Sequence, residues 1–166
     1  MAEIVKTQDS RRVFIDTLIA LAEKDPRVVL IVPDVGFNYI EEFQRRFPDR
    51  YFNLGTTEAS TMCIAAGMAL SGLRPFVYSM INFVAFRPFE MVRNLIALHN
   101  APVVLLGVKG STSYKFLGFS HNMHFENEDL YHLGPYMDCS KPSDNDEVRR
   151  VVLEAYESGK PNYIRL

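Results

Sequence analysis

Several features that would announce a function are scarce or missing in this chain. Among its 166 residues cysteine occurs only twice, and Cys63 and Cys139 lie far apart with no Cys-x-x-Cys or metal-ligand spacing around either. That excludes a disulfide framework and a structural zinc site, and both residues read as reduced thiols in or near the core. Neither sign of charge dominates, since 18 Lys and Arg stand against 20 Asp and Glu interleaved along the chain. Such a surface builds no basic field of the kind phosphate backbones require, so no nucleic acid partner is expected. No apolar run approaches the roughly 20 residues that cross a bilayer, so no membrane association is expected. The polar, charged first residues do not read as a signal peptide, and a cytoplasmic location is expected. Phosphate-cradling signatures are missing too: there is no Gly-x-x-x-x-Gly-Lys-Ser/Thr, no Gly-x-Gly-x-x-Gly and no Gly-x-Ser-x-Gly. The P-loop, dinucleotide and α/β-hydrolase readings lose their support. With no repeat, low-complexity tract or Pro/Gly/Ser-rich linker, the expectation is one domain over residues 1–166.

What is present is enough apolar material for a sizeable core, 48% hydrophobic and 12% aromatic. Short β-branched and aromatic runs alternate with longer segments of helical period. The runs predict strands at 28–32, 51–54, 75–79, 102–108, 137–140 and 163–166. The segments between them predict helices at 11–24, 39–47, 58–71, 86–99, 127–133 and 144–158, with Ser143 and Asp146 as a capping box and Gly72 closing the third. Continuous apolar runs such as Val28-Val-Leu-Ile-Val32 indicate strands buried on both faces. The fold class is therefore α/β, a mostly parallel sheet with helices on both faces. In such sheets ligands gather beyond the carboxyl ends of the strands, which directs attention to Asp34, to Glu58, to 80–86 and to 109–128.

Each of these places has two readings from pattern alone. Glu58 opens a helix of small and apolar residues; it serves either as a first-turn acid complementing the helix dipole or as a carboxyl sheltered from water that shares a proton with a ligand nitrogen. Phe83 and Phe86, three apart, fit a buried helix face or a platform for a flat heterocycle. The stretch 107–129 is long, punctuated by glycine and dense in polar groups, and such a loop is costly to order unless it serves a ligand. His121 and His124 lie in it with several acids, but no third metal ligand is fixed by spacing, and binding or proton transfer fits them better. His99 and His132 fall on predicted helices and read as structural or surface residues.

The run Tyr51-Phe-Asn-Leu-Gly-Thr-Thr-Glu58-Ala-Ser-Thr-Met-Cys-Ile-Ala-Ala-Gly67, with Gly72 and Pro75 beyond it, resembles the pyrimidine-binding domain of transketolase. Asn82-Phe83 with Arg87-Pro-Phe-Glu-Met-Val-Arg93, then Gly118-Phe-Ser-His121, then Glu128-Asp129 continue the resemblance in order over essentially the whole chain. It implies thiamine diphosphate chemistry: the residue matching Glu58 hydrogen-bonds N1′ of the aminopyrimidine, and the cofactor carries a two-carbon ketol unit from a ketose to an aldose. Phe83 matches the aromatic residue stacked on that ring, Phe86 a second one beside it, and Asp34 an acid near the thiazolium. His121 matches the histidine that contacts sugar oxygens by its spacing from Gly118, whereas His124 has the matching spacing to Glu128-Asp129. Leu117 stands where full-length relatives often carry an Asp that reads a donor hydroxyl, which leaves the donor open. The Gly-Asp-Gly and Asn segment that holds Mg²⁺ and the diphosphate has no counterpart here, and neither has the third domain. The resemblance thus implies one subunit of a split transketolase, with a separate diphosphate-binding chain in a heterotetramer acting on sugar substrates. The same domain also occurs in 2-oxoacid decarboxylases and dehydrogenases and in deoxyxylulose phosphate synthase. A binding module without catalysis is the alternative of another class. The small, apolar helix at 58–71 is expected to bury against another subunit.

Overall fold

Alternating apolar runs and amphipathic segments leave the chain few options besides a wound sheet, and the computed structural model, which describes residues 9–108 and 114–166, has that form. Six strands, β1 (Val28–Val32), β2 (Tyr51–Asn53), β3 (Arg74–Met80), β4 (Val104–Val108), β5 (Asp138–Ser140) and β6 (Asn162–Arg165), form one sheet in the order β2-β1-β3-β4-β6-β5. Every pairing is parallel. Alternate side chains of the central strands enter two cores. On one face Leu30, Phe76, Tyr78, Leu106 and Ile164 pack against α1 (Ser10–Lys24), α2 (Glu41–Arg46) and α6 (Asn145–Ser158). On the other, Ile31, Val77, Leu105 and Tyr163 pack against α3 (Glu58–Leu70), the segment 82–97 and α5 (Glu128–Leu133). No helix among the described residues is long and apolar enough to cross a membrane.

The helix ends follow from local chemistry. Asp9 caps α1 by accepting from the Arg11 N–H. At α3 the expected stop holds: Gly72, at φ 96°, donates to the Ala69 carbonyl while Leu73 donates to that of Met68. The cap of α6 differs from the expected pair. Asp144, not Ser143, accepts from the Glu147 N–H, and Glu147 reaches back to the Ser143 N–H and hydroxyl, while Asp146 is turned outward to Arg149.

The expected helix at 86–99 is interrupted. Pro88 offers no N–H, and on either side of the short α4 (Phe89–Met91) the backbone widens to π-helical turns at Asn82–Phe86 and Val92–Ala97. There Arg87 and Leu98 bond the carbonyls of Asn82 and Arg93, five residues back. The expected helix at 39–47 shrinks to α2 because a turn at Gly36 takes up Tyr39 and Ile40, whose N–H groups both bond its carbonyl. Cys63 is also corrected: it is exposed on the outer side of α3, because only the Glu58, Thr61, Met62, Ala65, Ala66 and Ala69 side of that helix meets the sheet. Cys139 is half-buried, and desolvation pushes its thiol up to about 12. His99 lies exposed in the turn after the second wide segment, and His132 packs its ring 3.9 Å from that of Phe89, with burial lowering its pKa.

At the amino end of the sheet, Asp25 accepts from the Arg27 backbone N–H, Nε and Nη2 and from the Tyr156 hydroxyl at 2.5 Å. The Arg27 bonds hold its carboxyl well below the usual carboxylate range, with the Tyr156 bond acting in the same direction. A carboxylate depressed in this way adds stability that is full above its ordinary value of 3.8 and lost as pH falls through the lower native value. In urea unfolding, Asp25→Asn should be less stable than the parent near neutrality, and the gap should narrow as pH drops below about 4.

Candidate functional site

The carboxyl ends of β1, β2 and β3 carry the residues singled out in the sequence. After β2, Gly55 turns at φ 68° and Thr57 donates its hydroxyl to the Leu54 carbonyl, which delivers Glu58 as the first residue of α3. Its side chain is 4% exposed. That end of α3 has no side-chain cap hydrogen bond, and Glu58 is the acid of its first turn. After β3, the wide turn of 82–86 brings Asn82, Phe83, Phe86 and Arg87 to the same mouth, where with Phe119, Ser120, Asn122 and Glu128 they line a cleft of about 360 Å³.

One contact organises this cleft. Arg87 Nη1 donates to Glu58 Oε1 at 2.6 Å, and the same guanidinium lies 4.0 Å over the Phe83 ring. The rings of Phe83 and His121 also meet in a T-shaped contact with centroids 5.0 Å apart. Loop 114–122 is held in place by two asparagines: Asn82 Nδ2 donates to the Asn122 carbonyl, and Asn122 Nδ2 donates to the Tyr114 and Gly118 carbonyls. Asn82 Oδ1 is left buried with no hydrogen-bond partner. A buried acceptor in that state is costly and is what a ligand donor would relieve.

The sequence-predicted residues divide between two places. Glu58, Phe83, Phe86 and His121 come together. Phe83 serves the cleft while largely buried, and Phe86 is shared with the core through the rings of His132 and the second apolar cluster. His124 is exposed, its ring edge-on to Phe119 and Phe125, and its backbone N–H donates to Glu128 Oε2. Asp34 lies at the end of β1 in a separate cavity of about 420 Å³ with Arg11, Tyr39, Tyr78, Met80 and Tyr114. Its backbone is in the left-handed region at φ 56°, held by Asn53, whose Oδ1 accepts from the N–H groups of both Asp34 and Gly55. Residues 109–113 of the glycine-punctuated stretch lie outside the described residues. Among those described, no group of three or more His, Cys, Asp or Glu could hold a metal ion. Sequence reasoning gave no role to Arg87, Asn122 or Asn53. Arg87 was detectable, because it follows Phe83 by four residues and lands on the same face; the two asparagines act through backbone atoms remote in sequence and left no pattern.

The family model for the transketolase pyrimidine-binding domain matches residues 6–166. The chain belongs to that family. It is 34% identical over 158 residues to a 1-deoxy-D-xylulose-5-phosphate synthase of Azoarcus sp. (strain BH72), covering 93% of this chain and 25% of that protein. The corresponding enzyme of Aquifex aeolicus (strain VF5) is 33% identical over 162 residues, covering 92% and 24%. The chain thus spans about a quarter of the length of the curated relatives it matches. Among solved structures, a split-gene transketolase described as an inactive β4 tetramer superposes with a TM-score of 0.84 at 29% identity, over 96% of this chain and 51% of that one. A Pichia stipitis transketolase in complex with sedoheptulose 7-phosphate superposes at 0.77 with 21% identity, over 98% and 26%, and shows the shared fold. The transketolase-family domain built here is a pyrimidine-binding one, and its buried acid, aromatic face and orphaned amide oxygen suit a flat, amino-substituted ring.

Proposed function

We propose that this chain is the pyrimidine-binding subunit of a two-component, thiamine diphosphate-dependent transketolase, and the observation that carries the proposal is the buried Glu58, joined to the Phe83 ring of the cleft through Arg87. Thiamine diphosphate supplies a carbon that bonds a substrate carbonyl and stores its electrons while a two-carbon unit changes partners. Glu58 holds the negative charge that a ring nitrogen's proton needs, in a place where water does not compete. Phe83 would give the ring a face to lie on, and Asn82 Oδ1 would be an acceptor for a donor on it. His121, half-buried against Phe83, points the substrate's oxygens toward the ring, and it is the histidine of choice over His124. The diphosphate and Mg²⁺ belong to a second chain. Ile64 and Leu70, at 39% and 60% exposure on the outer side of α3, supply apolar surface for that assembly. A heterotetramer in the cytoplasm is the proposed form, with the described fold acting as one domain.

The curated relatives support a second reading, a deoxyxylulose phosphate synthase-like reaction in which pyruvate loses carbon dioxide. Assembled enzyme given a ketose phosphate and an aldose should exchange the ketol unit and should release no carbon dioxide from pyruvate; release from pyruvate with no exchange would replace the first reading by the second. In the exchange assay, His121→Ala should lower kcat/KM about ten- to hundredfold, the worth of one or two hydrogen bonds to a reacting oxygen, and His124→Ala less than about threefold.

A further inference from the structure

Both groups that would receive the ring are already engaged by a single side chain. The Arg87 guanidinium lies 4.0 Å over the Phe83 ring and its Nη1 donates to Glu58 Oε1 at 2.6 Å. A guanidinium is flat, delocalised and cationic, with N–H donors along its edge. A protonated aminopyrimidine has the same four properties. The two partners differ in freedom to move. Glu58 is 4% exposed and fixed at the start of α3, whereas the Arg87 side chain is 46% exposed and extends from the wide turn ahead of Pro88. Without a cation, Glu58 would be a buried charge left alone, which is strongly destabilising. An arginine solves that problem, and its partial exposure lets it leave into water without becoming a buried orphan itself.

We propose that Arg87 is a stand-in for the cofactor ring: it neutralises Glu58 and covers Phe83 in the ligand-free chain, and it swings outward when the ring arrives. The inference rests on the Glu58 reading above. Arg87 then determines affinity by competition, because the cofactor binds only the fraction of molecules in which the guanidinium is displaced, and the measured Kd is the intrinsic one divided by that fraction. It also determines selectivity, since a ligand that is neither flat nor able to donate to Glu58 cannot replace what Arg87 provides.

The test is titration calorimetry of the full chain in its native assembly with thiamine diphosphate and Mg²⁺, for the parent, Arg87→Ala and Glu58→Gln. Arg87→Ala should tighten Kd about tenfold, the effect of a competing state populated about nine parts in ten. Millimolar guanidinium chloride should reverse the gain where the same concentration of sodium chloride does not. An unchanged or weaker Kd in Arg87→Ala, or equal effects of the two salts, would overturn the proposal. Glu58→Gln separates the two claims: unimpaired binding in that variant sinks the Glu58 reading, whatever Arg87 does. Should Arg87→Ala fail to fold, ¹⁵N spectra of the parent decide, because the Arg87 Nε–H signal is displaced by the Phe83 ring current before ligand is added and should move to the position of a solvated arginine afterwards. A signal that stays put on saturation with thiamine diphosphate contradicts the swing.

Discussion

Glu58→Gln should lower turnover of the assembled enzyme by roughly 10²–10⁴-fold, the range for loss of a positioned acid–base group. The substitution keeps the shape of the side chain and a carbonyl oxygen for Arg87, and it removes the charge. Arg87 is left without its carboxylate but is 46% exposed, so water solvates it and no buried cation results. Folding stability should therefore change by no more than about 1 kcal/mol. This split between activity and stability separates a catalytic carboxyl from the bland alternative, a first-turn acid serving the helix dipole. In the bland case activity would persist and only stability would respond. Steady-state kinetics and urea unfolding on the same preparation measure both.

The second large effect is expected in the core, at Asp129. This residue is fully buried on α5, accepts from the Tyr163 hydroxyl at 2.5 Å, and faces Arg165 Nη1 at 3.4 Å. Tyr163 is itself fully buried, and Gly107 of β4 has no side chain because any Cβ there would collide with the tyrosine ring. Burial, with the charge of Asp129 and the bond to it, raises the Tyr163 pKa well above the ordinary phenol value, so the hydroxyl stays protonated and donates. Asp129→Ala orphans that hydroxyl and strips a buried arginine of one partner. The expected cost is roughly 3–5 kcal/mol, or roughly 6–20 °C in Tm for a domain of this size. Tyr163→Phe keeps the ring and should cost about 1–3 kcal/mol. The function follows the packing here, because Glu128, next to Asp129, lines the cleft and receives the His124 N–H. Calorimetric scans should rank the variants in that order.

The sheet was legible from the sequence because its strands are buried on both faces, and runs such as Val28–Val32 have no other stable use. Elements whose shape depends on a backbone detail were not. Period alone made 86–99 one helix, whereas the missing N–H of Pro88 and the wide turns on either side of α4 break it up. Cys63 was misplaced for a related reason: a helix of small residues looks uniformly apolar, so its composition did not reveal which side meets the sheet. Glu58, Phe83 and His121 were legible through their order along the chain and through the family resemblance. The spacing around His121 and His124 conflicts, and the geometry separates them by bringing one ring to Phe83 and leaving the other exposed. Asp34 was grouped with the cofactor residues, and it lines a different cavity, with Arg11, Tyr39 and Tyr78.

The central claim is that Glu58 and Phe83 hold one half of thiamine diphosphate while a second polypeptide holds the other half. A crystal structure of the native assembly with thiamine diphosphate and Mg²⁺ tests it most directly. The ring should lie against Phe83 with N1′ within hydrogen-bond reach of Glu58, Arg87 turned out to solvent, and the metal and diphosphate bound by the other chain. A ring seated in the Asp34 and Tyr78 cavity, or a metal ligated by this chain, would contradict the account.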